Sequence, residues 1–216
     1  MQDKSHVKIG IIAFLLFTSS FTGLVFFTDV YDDIYSNIVS VTCLSCIKLQ
    51  PKTSIEFTFD TYQDRSHPDF VLENLSEGPV LIAYRTDVCE FCDVMDEILK
   101  DIFDVNYTVE DGVVVKIKEF NNLTVTFIHI NNDRAEDKYK NSQNVYMKDV
   151  FEDSVPMFTM ITVGYNRGLI EEYYATAYGT LQENSYNERK NSMFNLINDG
   201  IRLYEENKAG YEGISS

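Results

Sequence analysis

All four cysteines of this 216-residue chain fall into two Cys-x-x-Cys pairs, CLSC at 43–46 and CEFC at 89–92. A two-residue spacer brings paired sulfurs within bonding distance. Each pair can therefore cycle between dithiol and disulfide, stand as an inert disulfide, or supply half of a tetrathiolate metal site. Redox cycling needs an asymmetry between the two sulfurs. One attacks as a thiolate, and the other resolves the mixed disulfide that forms. A helix N-terminus supplies that asymmetry, because its unpaired N–H groups and dipole favour a thiolate.

The segments around CEFC predict this setting. PVLIAY at 79–84 is a continuous apolar run after Gly78, the mark of a buried central strand. CDVMDEILKDIF at 92–103 has apolar residues at 94, 95, 98, 99, 102 and 103, which is helical spacing. CEFC thus lies where a strand turns into a helix, with Cys89 at the helix N-terminus and Cys92 one turn later and more buried. On this reading Cys89 is the nucleophile and Cys92 the resolving thiol. Asp87, Glu90 and Asp93 crowd the same place, which predicts a raised thiol pKa and a reducing couple.

CLSC has no such context. Cys43 and Cys46 follow an acidic stalk, DVYDDIYSNIVSVT at 29–42, and precede Pro51. A structural or regulatory disulfide, a relay pair for CEFC or a membrane partner, and a tetrathiolate site shared with CEFC all remain open. The 42 residues between the pairs exceed the roughly 15–20 of the common zinc-ribbon pattern.

Further elements follow from pattern. IEFTF (55–59) alternates and predicts a strand, and HPDFVLENL (67–75) a short helix. VVVKIKEF (113–120) and LTVTFIHI (123–130) predict a hairpin across Asn121-Asn122. Residues 133–152 predict a helix, MFTMITV (157–163) and LIEEYYATAY (169–178) two strands, and 183–207 an amphipathic helix with Ser185 and Glu188 as its capping box. Strands alternating with helices, then a closing hairpin, predict an α/β sandwich with a mixed central sheet.

Two stretches carry a family resemblance. PVLIAYRTDVCEFCDVMDEIL resembles the active-site strand and helix of thioredoxin-like proteins, and SVPMFTMITVGYNRG resembles their cis-proline segment and the strand pair after it. The resemblance spans about residues 55–207, with an insertion near 105–121 and a flexible tail at 208–216. It implies a thioredoxin-like three-layer sandwich and a thiol–disulfide oxidoreductase. Cys89 and Cys92 would be its redox pair, and Val155 and a cis Pro156 would bind an extended substrate peptide. No organic cofactor is implied; the dithiol carries the electrons. The chain departs from the family at two places: Val88 stands where Trp is common before the first Cys, and Ala83 where thioredoxins bury an acid. These departures favour an alternative, a non-catalytic peptide-binding or chaperone module with structural cysteines.

The 18 basic and 34 acidic residues give a net charge of −16, which disfavours nucleic acid as a partner. Residues 9–27, IGIIAFLLFTSSFTGLVFF, are uncharged and close to the ~20 residues that span a bilayer. Lys4 and Lys8 precede this run and Asp29, Asp32 and Asp33 follow, which predicts a single-pass anchor with residues 1–8 cytoplasmic and the C-terminal domain extracytoplasmic. A cleaved signal peptide is the alternative, and places the domain on the same side. Sequons at Asn74, Asn106 and Asn122 are compatible with export. The expected partners are exported cysteine-containing proteins and an unidentified membrane redox protein. With His6, His67 and His129 scattered, a His-based metal site or Cys–His protease has little support, and His129 reads as partly buried structure.

Overall fold

The computed structural model describes residues 55–147 and 154–211. The expected anchor at 9–27, the stalk at 29–54 and the CLSC pair lie outside the described residues. Among the described residues, no helix is long and apolar enough to cross a membrane.

The described elements run α1 (Asp69–Leu75), β1 (Val80–Arg85), α2 (Glu90–Phe103), β2 (Val113–Phe120), β3 (Leu123–Asn131), α3 (Asp137–Lys140), α4 (Gln143–Tyr146), β4 (Met157–Asn166), β5 (Leu169–Tyr178) and α5 (Tyr186–Asn207). The five strands form one mixed sheet in the order β2-β3-β1-β4-β5. β1 lies parallel to β3 and antiparallel to β4, and hairpins join β2 to β3 and β4 to β5. Every residue of β1 is buried, as its unbroken apolar run requires of a strand covered on both faces.

Alternation divides the sheet into two faces. Leu81, Ala83, Arg85, Phe127, His129, Met160 and Thr162 share one face by register. α2 and α5 cover it: Phe103 of α2 stacks on Phe127 at 4.5 Å, and the Thr162 hydroxyl donates to the Gly200 carbonyl of α5. The opposite face carries Tyr84, Tyr174 and Thr176. There Tyr84 meets Ser142 at 2.8 Å, the Thr176 hydroxyl donates to the Tyr146 carbonyl, and Phe70 of α1 packs on Tyr139 of α3. The domain is therefore an α/β fold with a mixed five-stranded sheet flanked by helices.

Local signals are realised where they are self-contained. Asn121 and Asn122 both take positive φ, 51° and 68°, as the tight β2–β3 turn requires. Ser185 and Glu188 form the reciprocal capping box of α5. Four expectations are corrected. Residues 55–59 are not a sheet strand; Thr58 alone bridges to Tyr174, on the β5 side. The first edge of the sheet is β2, the first strand of the hairpin expected across Asn121-Asn122, so that part of the stretch expected as an insertion at 105–121 belongs to the sheet. The described part of the helix expected at 133–152 is two four-residue helices, α3 and α4. Lys208–Gly210 form a 3₁₀ turn and the Tyr211 hydroxyl donates to Glu172, so these first residues of the expected tail pack on the domain.

Candidate active site at the Cys89–Cys92 disulfide

Cys89 is the N-cap of α2, and its Sγ accepts a bond from the Cys92 N–H at 3.2 Å. The two cysteines are joined as a disulfide, with their Cα atoms 5.2 Å apart. Cys89 is half-buried and Cys92 is 1% exposed, which separates an approachable sulfur from a protected one. The neighbours of Cys89 project outward: Val88 is 95% and Phe91 60% exposed. Apolar groups so exposed beside the disulfide belong to the surface and not to the core.

The turn from β1 into α2 is tied down from the β3 side. The Asp87 N–H donates to Asp133 at 2.7 Å, and the Asp87 carboxylate accepts from Asn131 and from Arg134. The Arg134 and Asn131 hydrogen bonds hold the Asp87 carboxyl below the usual carboxylate range. Arg85, at the end of β1, is 4% exposed and spans two carboxylates of α2, Asp93 at 2.9 Å and Asp96. Of the three acids expected to crowd the pair, Asp87 and Asp93 each have an arginine partner.

Val155 and Pro156 lead directly into β4, and the bond between them is cis. Met157 pairs with Tyr84, so Pro156 enters at the C-terminal end of β1, where the turn to Cys89 departs. Val155 is half-buried and Pro156 buried. Cys89, Cys92, Val155 and Pro156 thus gather at one end of the central strands. Cys43 and Cys46 lie outside the described residues.

Compared with known proteins, the chain matches no family model, no curated protein and no solved structure. The functional reading therefore rests on the residues themselves.

Behind the disulfide lies a buried polar cluster that sequence reasoning missed. Asp96, one turn beyond Cys92, is 5% exposed and accepts from Arg85 and, at 3.0 Å, from the Tyr107 hydroxyl. Burial pushes its carboxyl up, against the opposing pull of Arg85 and Tyr107. His129, fully buried, places Nε2 3.7 Å from Asp96 Oδ1. Its proton affinity falls to about 3, chiefly through burial and then the charges of Arg85 and Lys100. The sequence signal was present: an Asp on the apolar stripe of a helix, a His inside a buried strand, and an Arg ending another.

Two open concavities lie elsewhere, around Asp60, Thr61 and His67 and around Thr58, Tyr62 and Tyr174. Neither is lined by Cys89 or Cys92.

Proposed function

We propose that this chain is a thiol–disulfide oxidoreductase with a thioredoxin-like domain, acting on cysteines of exported proteins through the Cys89–Cys92 pair. The observation that carries the reading is the disulfide at the N-terminus of α2, with an approachable Cys89 and a buried Cys92. Residues 9–27 would anchor it in a membrane with this domain outside the cytoplasm. A membrane redox partner would reset the pair.

The reaction needs no group beyond the sulfurs. In the reducing direction the Cys89 thiolate attacks a client disulfide, joins one client sulfur and expels the other as a thiolate. Cys92 then attacks Cys89 Sγ, the Cys89–client bond breaks, and the second client sulfur leaves with the electron pair. The pair ends oxidised and the client reduced; in the oxidising direction the same steps run backwards. The helix N-terminus stabilises the Cys89 thiolate. Pairing of Asp87 and Asp93 removes most of the charge opposing it, which supports a less reducing couple than the bare sequence predicts. Val88 and Phe91 offer a client apolar contact, and the backbone at Val155 an extended edge.

The test is a trap. Full-length Cys92→Ser, reduced and exposed to exported proteins bearing disulfides, should accumulate mixed disulfides through Cys89, whereas wild type resolves them. A Cys89 that stays unreactive in the reduced protein overturns the reading and leaves the peptide-binding module.

A further inference from the structure

The chain carries three Asn-x-Ser/Thr sequons, at Asn74, Asn106 and Asn122. A modified sequon has to keep its amide outside the folded domain, because an N-linked glycan is bulky and hydrated. The fold treats the three amides differently. Asn74 lies near the C-terminal end of α1 and is half-buried, and its Nδ2 donates to the Phe70 carbonyl at 2.6 Å. The rest of that sequon is engaged as well. The Tyr204 hydroxyl of α5 donates to the Leu75 carbonyl at 3.0 Å and lies 3.1 Å from that of Ser76, whose own hydroxyl donates to the Glu73 carbonyl. A glycan on Asn74 would have to emerge from a helix end held by α5.

Asn106 and Asn122 are both exposed, and neither side chain makes a hydrogen bond among the described residues. Asn106 comes two residues after Asp104, the left-handed residue that ends α2. Along Asn106-Tyr107-Thr108 the tyrosine is buried at 3% exposure, and the acceptor and the threonine on either side of it are exposed. The Asp111 carboxylate accepts from the Thr108 hydroxyl and N–H, which holds this sequon as a surface turn. Asn122 is the second residue of the β2–β3 turn, at a positive φ of 68° that Asn tolerates. Leu123 behind it is buried and anchors the turn to the core.

Neither acceptor stands on the rim around Cys89. Asn106 comes after the C-terminal end of α2, and Cys89 caps the N-terminal end of that helix, whose 14 residues span roughly 21 Å. Asn122 precedes the first residue of β3, whereas the turn to Cys89 leaves β1 at Arg85, which pairs with Asn131 at the last. We propose that Asn106 and Asn122 are N-glycosylated during export and that Asn74 is left bare. The inference rests on the export reading of residues 9–27. The donor is an oligosaccharide linked to a lipid diphosphate. Its anomeric C–O bond breaks, and the lipid diphosphate leaves with that electron pair. The Asn Nδ2 bonds to the anomeric carbon and releases one proton, so nothing is oxidised or reduced. Glycans at these two positions leave Val88, Cys89 and Phe91 open to protein clients.

The experiment translates the full-length chain with microsomes that hold such a donor and its transferase. Wild type is run beside Asn74→Gln, Asn106→Gln and Asn122→Asp, the last keeping a side chain that tolerates positive φ. Protease added outside the vesicles reports whether the domain has crossed the membrane. Protected wild type should carry two glycans, both released by an amide-cleaving glycosidase. Asn106→Gln and Asn122→Asp should each carry one, and Asn74→Gln still two. Glycosidase digestion of wild type in heavy-oxygen water gives the same answer without a variant: mass spectrometry should find labelled Asp at 106 and 122 and unlabelled Asn at 74. A protected chain without a glycan at either position, or with one at Asn74, overturns the proposal. A domain fully digested from outside instead overturns the export reading, and the glycans fall with it.

Discussion

Arg134 holds Asp87 through two parallel bonds, Nε to Oδ1 at 2.8 Å and Nη2 to Oδ2 at 2.9 Å. The fork fixes the turn that delivers Cys89 to the start of α2, and it neutralises the carboxylate two residues before the sulfur. Arg134→Met removes the fork and leaves Asp87 ionised beside the turn. The Cys89 thiol in the reduced protein should then titrate higher, by up to about one pH unit. The pH dependence of its alkylation measures this, and a downward shift would refute the electrostatic account.

The exposed apolar rim calls for a different test. Val88 and Phe91 are 95% and 60% exposed, so replacing both with Ser leaves the core untouched. Stability should move by less than about 0.5 kcal/mol. Capture of protein clients by the Cys92→Ser trap should drop several-fold, while the reaction with a small aromatic disulfide stays as it was. Equal losses with both substrates would mean that the rim shapes the sulfur chemistry and not client contact.

What the sequence revealed, and what it hid, follows from range. CEFC, the apolar strand before it and the helix after it are contiguous, so their arrangement was legible. The Asn121-Asn122 turn and the Ser185–Glu188 box were legible for the same reason. Residues 55–59 and 113–120 both alternate, and alternation alone does not say which segment takes an edge. Local pairing of β2 with β3 decides it, because the hairpin closes over only two residues. The polar cluster was hidden by distance along the chain: Arg85, Asp96, Tyr107 and His129 meet only once β1, α2 and β3 are assembled.

That assembly depends on a close approach at Gly78. A Cβ there would stand 2.0 Å from the Thr124 carbonyl oxygen at the start of β3. The obstacle is backbone, so β1 and β3 would have to separate locally. Gly78→Ala should cost about 2–3 kcal/mol of stability, read from the shift of the urea midpoint. A variant as stable as wild type would place the entry to β1 farther from β3 than 2.0 Å allows.

His129 makes the last prediction, one of stability and pH. Its folded proton affinity, about 3, lies below the ordinary value of 6.5. Between these values the unfolded chain holds the proton and the folded one does not. Stability is thus fully present above about pH 6.5 and is lost as pH falls toward 3, by a total on the order of 5 kcal/mol. Asp96, raised by burial, acts in the opposite sense: its contribution is present at low pH and lost as pH rises through its folded value. His129→Phe removes the first effect and leaves the second. In the oxidised protein the variant should be more stable than wild type by about 1 kcal/mol at pH 7.5, through loss of two unpartnered nitrogens. The gap should widen to about 3–4 kcal/mol at pH 4.5. Urea unfolding of both proteins at the two pH values measures it. A gap that narrows on acidification would show that His129 is protonated in the fold, with Asp96 as its true counter-ion.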